Sequence, residues 1–360
     1  MRNLILGYKY DWYLLGAAAL LMSAGLLVLA PFHDSSFTHQ LVWVSLALLI
    51  IIATPALGLR TTLNYRWVVV GIYLLILAFL AVTLVVAPVI HGSRSWIKLG
   101  FFEVQPSEFM EGALVILFSS FFAVRHVAIA HYRTIAVSFV YFLLPALLVM
   151  LQPNLGTVLI IFSLWFSYLL VSELPVRYVL SALVAFSLVG IFMWHFGFAS
   201  YQKQRIVGLF HPSNDPLGIN YNVIQSKIAL GSGGFWGMGY GRGTQVRLGF
   251  LPAPTNDFIF SSFIEEWGVA GGVALISLFL FLIYRILKIG FESDNNFSRF
   301  LCLGTAILLG IHLFINLGSD MGLLPVIGIN LPLVSYGGSN LLTIAFLLGI
   351  VEDIRWRSAV

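Results

Sequence analysis

The sequence predicts an all-α polytopic membrane protein of about ten spans, and three observations carry that prediction. Charged residues make up 9% of the 360-residue chain and hydrophobic ones 59%, and mean hydropathy is +0.96. Soluble domains hold about 25% charged and 45–50% apolar residues. The apolar residues come in unbroken runs close to the roughly 20 residues that a helix needs to cross a hydrocarbon core. Those runs lack the alternation of a lipid-facing strand, which argues for helices over a barrel. The same composition excludes intrinsic disorder, a coiled coil, a collagenous repeat and a free cytosolic enzyme.

The runs fall at about 12–31, 39–59, 67–90, 107–124, 134–151, 155–172, 178–198, 258–284, 300–318 and 338–354. The first follows Arg2 and Lys9, exceeds a signal-peptide core in length and has no small-residue cleavage pattern after it, so it reads as a retained helix. Only Gln152, Pro153 and Asn154 separate the fifth run from the sixth, which implies a tight turn. Residues 1–360 are thus expected to form a single integral membrane domain, with 199–257 as a long structured extracytoplasmic loop between the seventh and eighth spans.

Orientation follows from Lys and Arg in the loops, which stay on the cytoplasmic side. Placing the N-terminus inside puts 12 of the 19 basic residues there. Of the others, Arg94 and Lys98 share one outer loop, and Lys203, Arg205, Lys227, Arg242 and Arg247 lie in 199–257. Long loops translocate regardless of charge. Both termini are expected in the cytoplasm.

The 199–257 segment is too rich in Ile, Leu, Phe, Trp and Tyr to be disordered. Asn220 to Leu230 can form a short helix with Val223, Ile224 and Ile228 on one side. Gly231 to Gly243 carries seven glycines in 13 positions. It fits neither the Walker A pattern nor Gly-x-Gly-x-x-Gly, and no nucleic-acid motif appears. The lone Cys302 forms no internal disulfide, and no histidine pair flanks a Glu as in a zinc helix. No protein metal site is expected.

Acidic groups at membrane depth are functional hypotheses by default, against the reading that they are paired or snorkel to an interface. Glu108 and Glu111 begin the fourth span, Glu265 and Glu266 lie near the start of the eighth, and Asp320 follows the ninth. Asp257 stands where the outer loop enters lipid. A half-desolvated carboxylate there suits proton abstraction; its structural alternative is a helix N-cap. Glu265 and Glu266 point about 100° apart on a helix, so one is expected to pair with an outer basic residue. Pro332 to Ser339 reads as a broken or re-entrant approach to the last span, whose backbone must line a cavity or be buried in protein, and a cavity is expected.

Gln105-Pro106-Ser107-Glu108, Gln152-Pro153-Asn154-Leu155-Gly156-Thr157, Asp215-Pro216-Leu217-Gly218 with Tyr221-Asn222, the run Ser226–Gln245, Asp257-Phe258-Ile259-Phe260 with Glu265-Glu266, and Pro332–Ser339 together resemble the SEDS family (shape, elongation, division and sporulation). The run from Ser226 and Gly322-Leu323-Leu324-Pro325-Val326 look most like its RodA branch. The resemblance covers nearly the whole chain. It implies a ten-helix peptidoglycan glycosyltransferase that polymerises lipid II on the outer membrane face for cell elongation and shape, alongside a class B penicillin-binding protein. It also implies that Asp257 is catalytic. A sugar 4-hydroxyl must lose a proton to a base, and developing pyrophosphate charge must be met by cations. Asp257 supplies the base. Arg94, Arg205, Lys227, Arg242 and Arg247 are the candidate cations, with a divalent ion (Mg or Mn) as an alternative, and Glu108 and Ser335 complete the expected substrate site.

Several positions depart from the family pattern. Glu111 stands where a lysine normally pairs with Glu108, so two acids sit at i,i+3 spacing, where like charges repel. One is expected to be neutralised from another helix, and Glu111→Lys to preserve or raise stability. Asn154 replaces an Asp, Thr255-Asn256-Asp257 replaces His-Thr-Asp, and Asp320 is an added acid. The rival functions are a lipid II flippase and a scaffold for the penicillin-binding protein, since intramembrane acids and broken helices also build transport sites.

Overall fold

The computed structural model describes residues 10–32, 35–88, 93–99, 102–125, 132–172, 175–198, 200–211, 215–218 and 220–358. In chain order the helices are α1 (Trp12–Leu29), α2 (Ser35–Leu57), α3 (Leu59–Leu63), α4 (Arg66–Val86), α5 (Pro106–Arg125), α6 (Tyr132–Leu151), α7 (Leu155–Val171), α8 (Val176–Phe192), α9 (Ser200–Phe210), α10 (Tyr221–Ser232), α11 (Thr244–Arg247), α12 (Ile259–Phe291), α13 (Asn296–Asp320) and α14 (Gly338–Ser358). A hairpin of β1 (Ile97–Leu99) and β2 (Phe102–Val104) pairs antiparallel before α5. The chain is an all-α polytopic membrane protein apart from that hairpin. Among the described residues, eight helical segments are long and apolar enough to cross a membrane: α1, α2, α4, α5, α6, α8 with its continuation to Gly197, α12 and α13. α7 is a shorter apolar helix, and α14 ends in Glu352, Asp353, Arg355 and Arg357. All ten expected runs are thus helices, most within a few residues of their expected ends.

Burial orders the bundle. The most apolar stretches of α5 and α13 are 78% and 61% buried, against 22% for α4, which marks α5 and α13 as central. α13 packs against both α12 and α5, α14 against α2, and α1 against α12. Polar residues start several helices where unpaired first-turn amides need acceptors. Asp11 accepts from Tyr13 and Leu14, Asn154 from Thr157 and Asn295 from Ser298. Asn at 154 therefore keeps the capping oxygen that an Asp would give.

Two sequence expectations change here. The eighth span is 33 residues long and is interrupted at Gly268, whose φ of +69° and ψ of −175° are not helical. A Cβ at Gly268 would fall 2.3 Å from the Phe235 carbonyl. The glycine-rich run packs its own backbone there, with Val269 and Ala270 donating to the carbonyls of Gly234 and Phe235 at 2.9 and 3.1 Å. Close backbone approach explains that composition, where no nucleotide does. The helix expected in the outer segment forms as α10, but it buries Ser226 and Ala229, and Ile228 is exposed. Small side chains let α10 lie close against α12.

The cavity expected at Pro332–Ser339 gives way to burial in protein. Leu331, Leu333, Val334 and Ser335 are buried. Gly25 of α1 makes room for them, because a Cβ there would fall 2.1 Å from the Val334 carbonyl. At the opposite end of the bundle, Asp11 is ion-paired with Arg285, and its amide donates to Glu352 Oε2 at 3.1 Å. Asp353 takes the Arg60 amide at 2.7 Å and the Arg357 guanidinium at 2.9 Å.

Candidate active site

Asp257 lies in the turn before α12, next to Phe258, the N-cap residue of that helix. The N-cap alternative fails: α12 has no side-chain cap bond from Phe258, and among the described residues the Asp257 carboxylate has no hydrogen-bond partner. Its backbone is nonetheless held firmly. Asn316 of α13 donates one amide group to the carbonyls of Asp257 and Ile329, both at 2.9 Å. Ser335 donates to the Asn256 carbonyl at 2.7 Å and accepts from the Leu331 amide at 2.9 Å. Tyr336 donates its amide to the Thr255 carbonyl at 2.8 Å, and Asn256 Nδ2 returns a bond to the Tyr336 carbonyl at 3.0 Å. The re-entrant segment is therefore a template against which residues 255–257 are laid. Ser335, expected to touch substrate, has its hydroxyl committed to that template.

The carboxylate itself is half-buried, with Gly328 on one side, where a Cβ would come within 3.4 Å of Oδ2. Burial pushes the Asp257 carboxyl above the ordinary carboxylate range, and the Arg205 guanidinium acts against that shift. Arg205, on α9, also donates to the Val326 carbonyl at 3.0 Å. Between α9, α10 and residues 324–326 lies a cavity of about 150 Å³ bounded by Arg205, Asn220, Asn222, Val223 and Pro325. It can hold a phosphate-sized group.

The remaining expected cations divide. Lys227 of α10 is solvent-exposed and lies over Gly322, where a Cβ would fall 2.6 Å from Nζ. Arg94, Arg242 and Arg247 are also exposed. Of the five expected cations, Arg205 is the one whose charge acts on Asp257. Glu265 departs from expectation. Among the described residues its carboxylate takes no cation, and it accepts the amides of Gln245 at 2.7 Å and Val246 at 3.2 Å, together with the Thr244 hydroxyl at 3.2 Å. First-turn amides of α11 satisfy it instead.

Glu108 and Glu111 are both buried on α5. Glu108 Oε1 accepts from Asn330 Nδ2 at 3.4 Å, and Oε2 is unpartnered. Glu111 pairs with His312 of α13, Nε2 to Oε2 at 2.9 Å, and His312 Nδ1 lies 3.2 Å from the Asn330 carbonyl. The basic partner that α5 lacks thus comes from another helix. His312, Asn316 and Asp320 recur every four residues and so share one face of α13. That polar stripe inside an apolar helix is the signal that sequence reading missed. It joins Glu111 and Glu108 to the Asp257 turn through residues 329–330. Among the described residues no three His, Cys, Asp or Glu side chains gather as a metal site.

Known proteins resemble this chain over most or nearly all of its length. The family profile for FtsW, RodA and SpoVE, described as cell cycle protein, matches residues 7–359. The peptidoglycan glycosyltransferase MrdB of Escherichia coli strain K12 is 38% identical over 264 residues, which is 73% of this chain and 71% of that protein. Among solved structures, a chain of a peptidoglycan synthase complex that coordinates polymerisation and crosslinking superposes with a TM-score of 0.83 and 31% identity, covering 98% of this chain and 99% of that one. The rod shape determining protein RodA of Thermus thermophilus matches with a TM-score of 0.70 and 26% identity, over 97% and 98% of the two chains.

Proposed function

Because the chain belongs to the FtsW, RodA and SpoVE family, we propose that it polymerises lipid II into glycan strands, with Asp257 as the general base. It is a membrane-embedded peptidoglycan glycosyltransferase. The observation that carries the proposed mechanism is the Asp257 carboxylate: half-buried, uncommitted to any cap, and held by its own backbone beside the Arg205 guanidinium. Asp257 takes the proton of an acceptor sugar 4-hydroxyl. The freed oxygen attacks the anomeric carbon of the donor sugar, and the bond to undecaprenyl pyrophosphate breaks. Arg205 and Lys227 meet the charge that develops on the departing phosphates, with the 150 Å³ cavity beside Arg205 receiving one of them. A magnesium or manganese ion would arrive on the pyrophosphate rather than in a protein cage. Glu108 and the 329–330 segment support the floor of the site, and Arg94, Arg242 and Arg247 form its outer rim.

In this reading the Asp257 end faces outward, the Asp11–Arg285 end and both termini lie in the cytoplasm of the bacterial inner membrane, and the partner is a class B penicillin-binding protein that crosslinks the new strand. The solved relative in a synthase complex supports that partnership. Purified protein given labelled lipid II tests the activity. Polymer supports the reading, vesicle translocation without polymer makes the chain a flippase, and neither outcome leaves a scaffold. For orientation, Ser232→Cys should react with an impermeant thiol reagent from outside and Asp294→Cys should not; reversed labelling overturns the outer-face chemistry.

A further inference from the structure

We infer that Asp320 and Asn316 are positioning residues of the site: from α13 they clamp the Asp257 turn on both sides, Asp320 by capping α12 in place of the cap which that helix lacks. The inference rests on the reading of Asp257 as the base. A helix start leaves its first amides unsatisfied unless acceptors are supplied. α12 has Phe258 at its N-cap and no local side chain to serve. Asp320, the last residue of α13, serves instead, with Oδ2 accepting from the Ser261 amide at 3.0 Å and the Ser261 hydroxyl at 2.9 Å. Ser226 of α10 closes the cluster, lying 2.7 Å from the Ser261 hydroxyl and donating to the Asp320 carbonyl at 2.8 Å. All three side chains are buried.

One turn back on α13, Asn316 holds the Asp257 carbonyl. Two tethers on one helix face therefore fix residues 257 and 261, and the Asp257 side chain is left uncommitted beside them. A side-chain oxygen suits the capping task, because the first-turn amides of a helix lack intrahelical acceptors. Asp320 Oδ1 is buried without a partner. A buried acid with an unsatisfied oxygen is a poor device for stability alone, and its placement makes sense as a fixed reference point for the turn beside it.

Hydrogen exchange and steady-state polymerisation on the full chain in nanodiscs test this, with Asp320→Leu, Asp320→Asn and Asn316→Leu. Asp320→Leu should raise exchange at the 257–262 segment by about 10-fold or more, and Asp320→Asn, which keeps the accepting oxygen, should stay close to wild type. A catalytic group displaced by an ångström loses on the order of 10²-fold. Both leucine variants should therefore lower kcat by about 10- to 100-fold with KM for lipid II unchanged. Unchanged exchange in Asp320→Leu overturns the clamp. Raised exchange with unchanged kcat overturns its positioning role, and equal losses in Asp320→Asn and Asp320→Leu overturn capping as the means. Normal polymerisation by Asp257→Asn would remove the base reading itself, and the exchange measurements would still decide whether the clamp exists.

Discussion

The two ends of the bundle treat buried carboxylates in opposite ways. At one end the buried Asp11 and Asp353 meet Arg285 and Arg357, the exposed Glu292 meets Arg355, and the buried Glu352 takes the Asp11 amide, so that α1, α3, α12 and α14 are latched together by ion pairs and backbone donors. At the other end Glu265, Asp320 and Glu108 are held by amides, hydroxyls and an asparagine, and Asp257 has only its backbone tethered. The five cations expected there are all exposed. A carboxylate paired with a guanidinium is a joint, one held by amides and hydroxyls is a cap or brace, and Asp257, merely aimed, keeps its chemistry in reserve. Buried acids thus report function through what satisfies them, not through burial.

The contrast breaks first at Asp257. Asp257→Asn is nearly isosteric and removes no cap, so the melting temperature should hold. The polymerisation rate should fall by about 10²–10⁴-fold, the usual loss for a missing base. Near-normal polymer yield from a folded variant would take Asp257 out of the mechanism and direct attention to Glu108.

Next in size is Glu111→Lys, for which the structure reverses the sequence expectation. Restoring a lysine would set an ammonium against His312 in a buried site and leave that histidine without its acceptor. Breaking a buried pair costs about 3–5 kcal/mol, so little folded protein should accumulate, as monitored by fluorescence-detected size exclusion. Adding His312→Asn should recover much of it. A stable single variant would show that Glu111 and His312 are independent.

At the latched end, Arg285→Ala should cost about 2 kcal/mol, the scale of a charge-assisted bond. The loss is smaller than at Glu111 because Asp11 keeps the Tyr13 and Leu14 amides. Thermal unfolding should shift down while polymerisation per folded molecule stays constant. A selective loss of activity would mean that the two ends are coupled.

Much of this was legible in the chain. The spans were, because hydropathy accumulates over twenty residues and tolerates errors at the ends. Asp257 was, because its position beside a span and the motif around it agree. The Glu111–His312 pair was not: its members are 201 residues apart, and nothing local on α5 announces a partner on α13. The His312, Asn316, Asp320 spacing was readable as a polar face, but only the fold says what it faces. Gly268 looked like one glycine among many, since its requirement comes from the backbone of residues 234–237 packed against it.

The smallest effect is the most diagnostic of how Arg205 acts. A general base works only when ionised, so the rate rises with pH through the Asp257 ionisation. Burial places that rise above the ordinary carboxylate range, and Arg205 pulls it back down by favouring the charged form. Arg205→Gln removes the pull, so the acidic limb of the kcat profile should move to higher pH. At a fixed pH on that limb the variant is slower because fewer molecules carry the ionised base. On the alkaline plateau Asp257 is ionised in both proteins, and the limb's cause no longer matters. An unchanged plateau would make Arg205 an electrostatic neighbour alone. A lowered plateau means that Arg205 also meets the leaving phosphates, as the cavity beside it suggests. A limb that stays in place would disconnect Arg205 from Asp257, and the uncommitted carboxylate would need another cation to explain its charge.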